Sequence, residues 1–481
     1  MIKKIIGNKI LVYLASRYGT YGLQFLISLV IAAKLGPYYM GIYGVVLLVI
    51  SYFAQFHFGI ANSLNILLVH HKNDKEKYNS YIYGALSLVS ILGLVIISLF
   101  VYYWIFGIDY ISGLSIDKYL PYICVIAVLE HFDGVFTNIL RVKNRVTQLT
   151  VIQSLNVICN TSVVFFFNGE DLVKFLVASL MASNILKAII SLSSSIIKRP
   201  RINYFSKDIQ HEILKKGFYL FIYNSCLTFV LIVARTLISN NYSVEQFGYF
   251  SFSFTIANAV MLLLESLSFI IFPKLIDILS SSDMSKITNS LGLIRVLYIS
   301  TAHLFIYTAM LFFPVLLWLM PQYKESLTSM NLIALTVLMS TNSFGYSMFL
   351  LAQNKEKTAA ALASNAMIIS ILFGLLFVKV LNVEFHYVII STLLTYLIYS
   401  TSCMIVSENI IGSKGKISLI KKAFPIRLFV PFSIAIFLSA AEYEELLFLP
   451  LSIFLIMNIT TIRIIAEYLK KLINDPNISD I

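Results

Sequence analysis

Charge is scarce in this sequence, and cysteine scarcer still. Asp, Glu, Lys and Arg make up 12% of the 481 residues, against 58% hydrophobic. Soluble domains carry about 25% charge, so the composition excludes an ordinary soluble fold and predicts a polytopic membrane protein. The four cysteines, Cys124, Cys159, Cys226 and Cys403, stand singly in apolar segments. Their spacing suits neither a disulfide framework nor a zinc set, and they read as small buried hydrophobes; no metal or other cofactor is expected. No phosphate-cradling GxxxxGK[ST] run occurs and no soluble domain interrupts the chain, which excludes ATP hydrolysis. No small-residue cleavage site follows the basic start MIKKIIGNK, so the first apolar run is expected to stay in place.

What is present is a succession of apolar runs near twenty residues or longer. Fourteen are read, at about 11–33, 41–69, 81–106, 119–140, 149–167, 172–197, 217–239, 248–272, 288–319, 327–352, 358–380, 386–407, 423–440 and 446–466. Each is adequate for a hydrocarbon core of roughly 30 Å at about 1.5 Å per residue. An even count puts both termini on one side. Of the 36 Lys and Arg residues, 25 lie at the termini or in loops on that side. Five lie in the opposite loops (Lys34, Lys118, Lys174, Lys324, Lys379) and six within spans. The positive-inside rule then predicts cytoplasmic termini. The net charge of +12 is a topology signal, and no nucleic-acid partner is expected. Trp104 and Trp318 sit at outward span ends, where an interfacial belt is expected.

The longest loop, KRPRINYFSKDIQHEILKKG (198–217), falls midway between spans six and seven. The chain therefore reads as a six-helix lobe (1–197), a cytoplasmic linker (198–216), a second six-helix lobe (217–410) and two extra helices with a tail (411–481). An internal repeat relates the lobes. GPYYMGIYGVV after span one resembles YSVEQFGYFSFS after span seven, with Gly41 matching Gly248 at an offset of 207. LRVKNRVTQLTVIQSLN after span four resembles LLAQNKEKTAAALASN after span ten, with Asn144 matching Asn354 at an offset of 210. Six helices separate the copies, so the repeat is parallel, about an axis along the membrane normal.

Several spans carry polar stripes. In VYLASRYGTYGLQFLISLVIAA (12–33), Tyr13, Arg17, Thr20, Tyr21, Gln24 and Ser28 share one helical face. An arginine isolated in hydrocarbon costs roughly 2.5 kcal/mol on the mildest scale, so that face is expected to meet water or protein. Span seven, its repeat partner, carries Asn224, Thr228, Arg235 and Ser239 on one face. Span five adds Gln153, Asn156 and Asn160; span four adds Glu130, Asp133, Thr137 and Arg141; span eight adds Thr255, Asn258 and Glu265. The expected architecture is all-α, with two lobes flanking a central polar cavity. Arg17, Arg235, Lys187, Arg295, Gln24, Gln153, Asn156 and Asn224 are the candidate substrate-binding residues. For the asparagines and glutamines, hydrogen bonding between helices competes evenly with cavity lining. Glu130, Asp133 and Glu265 are either counter-ions to the bases or protonatable ion-coupling sites. Arg427 and Arg463, near cytoplasmic ends, read as snorkelling residues, and His57, His131 and His303 as packing residues.

These residues bring a family into view. AAKLGPYYMGIYG (32–44) resembles the Gly-Pro-x-x-x-Gly-x-Tyr turn after helix one of polysaccharide flippases, the Wzx-like members of the multidrug/oligosaccharidyl-lipid/polysaccharide exporter superfamily. ILRVKNRVTQLTVIQ resembles their loop from helix four to five, VARTLISNNYSVEQFGYFSFS their helix seven and its turn, and IIFPKL (270–275) their exit from helix eight. Arg235 is kept, but Ala234 stands where the family usually has an aspartate. The family's common count is twelve helices; fourteen resembles its longer members.

The resemblance implies a non-enzymatic flippase of the bacterial inner membrane. Its cargo would be an undecaprenyl-diphosphate-linked oligosaccharide, such as an O-antigen, capsule or exopolysaccharide unit. It also implies membrane lipids, a polysaccharide polymerase and a chain-length regulator as partners. Arginines suit a diphosphate because guanidinium binds phosphate oxygens in bidentate fashion. Three rivals stand beside it. A cation-coupled multidrug efflux transporter of the same superfamily would favour acidic and aromatic cavity residues over arginines. A membrane-embedded oligosaccharide polymerase or ligase would carry a large outward loop, whereas the longest here is about a dozen residues (107–118). A scaffold protein would leave the paired arginine stripes unexplained.

Overall fold

The computed structural model describes residues 9–106, 116–143, 145–193, 206–281, 283–412 and 424–474, with side chains throughout except at 9–17, 146, 261, 263–277, 294, 466 and 468–474. Among the described residues the chain forms sixteen α-helices and no strand. They are α1 (Lys9–Gln55), α2 (Ile60–His70), α3 (Lys75–Phe106), α4 (Leu120–Val142), α5 (Val146–Val164), α6 (Gly169–Ser193), α7 (Lys207–Asn241) and α8 (Val244–Leu279). There follow α9 (Met284–Leu319), α10 (Leu327–Thr341), α11 (Tyr346–Ala352), α12 (Glu356–Leu375), α13 (Ile389–Ile411), α14 (Ile426–Ala440), α15 (Phe448–Met457) and α16 (Ile459–Asn474).

Nine helical segments among the described residues are long and apolar enough to cross a membrane, or ten if one bent pair counts as a crossing. The sequence predicts fourteen; spans five and eight, in α5 and α8, are not among the nine, and the other differences lie at spans one and two, thirteen and fourteen. Spans one and two run together in α1, across a break where Gly36 takes φ 66° ahead of Pro37. Glycine tolerates that conformation, and proline has no N–H to continue the helical ladder. Span two breaks again at Phe58 (φ 46°) and Gly59 (φ 74°) before α2 resumes it. Span thirteen is the 15-residue α14, and span fourteen is bent by 77° between α15 and α16.

The described chain divides into two compact units. The first comprises Gly22–Thr228 with Ser243–Gly248. Within it α3 packs on α4, α2 on both, and α6 on α4 and α5. Ile60, Leu64 and Leu68 of α2 meet Ile82 and Val89 of α3 and Val135, Phe136 and Ile139 of α4 in one buried cluster. Two glycine contacts bring backbones together. A Cβ on Gly217 would lie 2.5 Å from the Gly59 carbonyl oxygen, and one on Gly59 would strike the Gly217 carbonyl. A Cβ on Gly41 would strike the Val244 carbonyl, and one on Gly248 the Pro37 carbonyl.

The second unit comprises Met1–Tyr21, Phe229–Tyr242 and Tyr249–Ile481. Its most enclosed crossing is Pro321–Ala352, with 78% of its apolar window buried. This span is interrupted between α10 and α11, where Gly345 takes φ 88°. Packed around α10 are α9, α13 and α14. Trp318 and Trp104 are exposed, as residues of an interfacial belt are.

Candidate functional site

In the first unit the structure gathers three of the predicted residues. α4 carries Glu130 and Asp133 one turn apart, and α6 lays Lys187 against them. The Lys187 Nζ is 3.7 Å from Asp133 Oδ2, and the two side chains are 9% and 26% exposed. Lys187 also donates to Asn184 Oδ1 at 3.3 Å. Lys187 and Asp133 thus form an enclosed ion pair between α4 and α6, with Glu130 one turn away on α4.

The same face of α6 meets α5 through a polar zipper. Ser183 Oγ donates to Asn156 Oδ1, and one turn earlier Ser179 Oγ donates to Asn160 Oδ1 at 2.6 Å. Both pairs are spaced by four residues on both helices, the geometry of an interhelical seam. Gln153 lies on α5 and is half-buried. Gln24 and Asn224, also in this unit, are exposed; the Asn224 carbonyl accepts a hydrogen bond from Thr228 Oγ1 at 3.0 Å.

In the second unit Arg235 is buried, with its guanidinium carbon 4.8 Å from the centre of the Phe254 ring. Arg295 is buried as well, at the interruption between α10 and α11. Its Nη1 donates to the carbonyls of Asn342 (2.6 Å) and Phe344 (3.0 Å), and its Nη2 to Asn342 Oδ1 (3.2 Å). A break in a membrane helix leaves carbonyls without their helical partners, and these bonds satisfy two of them. The Arg295 guanidinium also lies 4.3 Å from the Tyr346 ring centre. Tyr346 donates through its hydroxyl to Glu408 Oε1 at 3.2 Å, and Glu408 is buried. The side chains of Arg17 and Glu265 lie outside the described residues.

Asn342, Tyr346 and Glu408 are absent from the sequence-derived candidates. Span twelve is read there as ending at 407, which leaves Glu408 in a loop; α13 continues to Ile411 and carries Glu408 inside. An acidic residue at the very end of an apolar run was the available signal. His303 packs, as expected: its Nδ1 is 2.9 Å from the Tyr307 hydroxyl and its ring stacks on Phe454. A groove of about 280 Å³ opens between α12 and α13, lined by aliphatic side chains together with Asn365, Tyr399 and Ser402. Among the described residues no group of three His, Cys, Asp or Glu side chains is placed to hold a metal ion.

No curated protein matches the sequence significantly. Among solved structures, an inward-facing conformation of a multidrug resistance MATE family transporter of the MOP superfamily superposes with a TM-score of 0.63 at 14% identity, over 86% of this chain and 99% of that one. An outward-facing conformation of such a transporter gives 0.58 at 14% identity, over 85% and 94%. A MATE structure in the straight conformation gives 0.56 at 14%, over 85% and 95%. At that identity the likeness establishes a MATE-like fold. The polysaccharide biosynthesis protein family matches residues 6–279, more than half of the sequence, and on that match the chain is a member of the polysaccharide biosynthesis protein family, a membrane protein built on a MATE-like transporter fold.

Proposed function

We propose that this protein flips an undecaprenyl-diphosphate-linked oligosaccharide from the cytoplasmic to the outer leaflet of the bacterial inner membrane. One conjunction carries the reading: a polysaccharide biosynthesis sequence on the fold of transporters known in inward- and outward-facing conformations. Alternating access between two repeat-related lobes would move the glycan and diphosphate while the polyprenyl chain stays in lipid. Arg17, Arg235, Arg295 and Lys187 are the candidate diphosphate ligands. The Arg295 guanidinium also donates to the carbonyls of Asn342 and Phe344, a structural role beside that candidacy. In the first unit Glu130 and Asp133 are the candidate ion-coupling groups, with Lys187 as the counter-charge of Asp133. The transporters of similar fold and the family together favour transport over polymerase or ligase chemistry.

The test is translocation in sealed proteoliposomes. The lipid-diphosphate oligosaccharide should move between leaflets and lose or gain accessibility to a membrane-impermeant lectin. Uptake of a fluorescent cation with no movement of the glycolipid would overturn the reading in favour of drug efflux. Translocation unchanged after collapse of both proton and sodium gradients would remove ion coupling alone.

A further inference from the structure

The stretch 446–466 is apolar enough to be read as a crossing, yet it is not one helix. α15 supplies ten residues, about 15 Å of rise and half a hydrocarbon core. The chain then turns through 77° into α16. α14 and α15 pack as a hairpin on α10 and α9, helices that belong to membrane crossings. α16 therefore runs steeply across the direction of α15, and it too packs on α9.

The bend is fixed by side chains. Asn458, buried at the corner, donates through Nδ2 to the Arg427 carbonyl at 2.9 Å. Arg427 Nη1 donates to Thr461 Oγ1 at 3.2 Å. The corner is therefore tied to the start of α14 and is not a frayed end.

The register of α16, ITTIRIIAEYLKKLIN, separates two faces. Arg463, Glu467, Lys470, Lys471 and Asn474 fall on one arc of about 100°. Ile462, Ile465, Leu469, Leu472 and Ile473 fall on the opposite arc. Where side chains are described they agree: Arg463 and Glu467 are exposed, Ile462 and Ile465 half-buried. A helix in the membrane plane with these faces has one favourable depth. In mid-core its charged arc would be unsolvated, and in bulk water whatever of its apolar arc α9 leaves uncovered would be exposed; at the headgroup layer both are satisfied. Three basic residues against one acidic residue give the polar arc a net positive charge. Four more lysines (Lys414, Lys416, Lys421, Lys422) precede α14 in sequence.

We propose that α16 is a lipid-binding platform. It lies in the headgroup layer of the leaflet that holds the basic loops, and its Arg463–Lys470–Lys471 edge binds the phosphates of anionic phospholipids. This inference is independent of the cargo.

The experiment uses the full-length protein in nanodiscs containing a photoactivatable phosphatidylglycerol. One probe carries the reactive group at the headgroup and another at the acyl end. The headgroup probe should capture residues 459–474 of the wild-type protein. Replacing Lys470→Gln and Lys471→Gln should cut that capture roughly fivefold per lysine, the effect of a basic residue near an anionic surface. Spin labels at 462, 463, 465, 467, 469 and 470, with the four cysteines replaced, should alternate between oxygen and aqueous nickel accessibility with a helical period. Capture by the acyl-end probe alone would mean that α16 crosses the core, and water accessibility at every position would mean that it is free of the membrane. Capture unchanged by both lysine substitutions would remove the electrostatic role. Each of these overturns the proposal, and the wild-type capture decides if the labelled variants fail to fold.

Discussion

A methyl group on Gly248 would lie 3.0 Å from the backbone nitrogen of Gly41 and would strike the Pro37 carbonyl. The contact is reciprocal, for a methyl on Gly41 would strike the Val244 carbonyl. Pro37 and Val244, like Gly41 and Gly248, are 207 residues apart. Helix and turn backbones approach here to a distance that only glycine permits.

Alanine at either position must force these backbones apart. Gly41→Ala and Gly248→Ala should each destabilise the protein by about 1–3 kcal/mol, the range for overpacking. Gly292→Ala, where a Cβ would meet nothing within 4 Å, should be neutral or slightly stabilising, because alanine is the better helix former. Thermal unfolding of the three variants in detergent checks this. Equal midpoints for Gly248→Ala and Gly292→Ala would contradict the contact.

Removing the ammonium of Lys187 leaves Asp133 without its counter-charge. Lys187→Met should cost about 2–4 kcal/mol, toward the lower end of the range for breaking an enclosed pair because Asp133 is partly open. The double variant Lys187→Met/Asp133→Leu should recover part of the loss. Membrane abundance and unfolding midpoint, compared as a double-mutant cycle, measure the coupling. Strict additivity would show that the pair contributes nothing.

Arg295 holds an interrupted helix through three hydrogen bonds. Lysine keeps the charge but not the planar fork, so Arg295→Lys should destabilise nearly as much as Arg295→Gln. Tyr346→Phe keeps the ring beneath the guanidinium and loses only the bond to Glu408, for about 1 kcal/mol. Unfolding midpoints that rank Tyr346→Phe below Arg295→Lys would reverse these assignments.

Export separates a ligand-binding arginine from a structural one. Under the proposed function, Arg17→Ala and Arg235→Ala should stop surface display of polysaccharide while the protein still inserts at normal levels. Arg17→Lys should restore display in part. Normal display by Arg17→Met would rule out a ligand role for this residue.

The orientation has its own test. Reporters fused at Lys207 and at the C-terminal residue should both report the cytoplasm, and one at Asp109 the exterior, as the distribution of basic residues requires. An external signal at Lys207 would invert every face.

The sequence by itself determined the class of the protein and much of its secondary structure. Apolar length and the shortage of charge compel helices in a membrane, since backbone groups in hydrocarbon must bond within their own segment. The family was legible as well, because its turns carry glycine and proline where the backbone demands them. Hydropathy could not reveal where helices break, because a break at Gly36, Gly59, Gly345 or Asn458 leaves the apolar character of the segment unchanged. Periodicity placed Asp133 on a polar face and left Lys187 an isolated basic residue within a span; only the packing of α6 on α4 made them partners. For Asn156 and Asn160 two roles were open, and the serines of α6 hold both in a helix seam. Arg295 was read as a possible ligand, yet its donors reach the carbonyls of Asn342 and Phe344, which lie 47 and 49 residues away in sequence. Such pairings depend on which helices are neighbours and at what depth they meet. Those are properties of packing, and no local pattern in the chain encodes them.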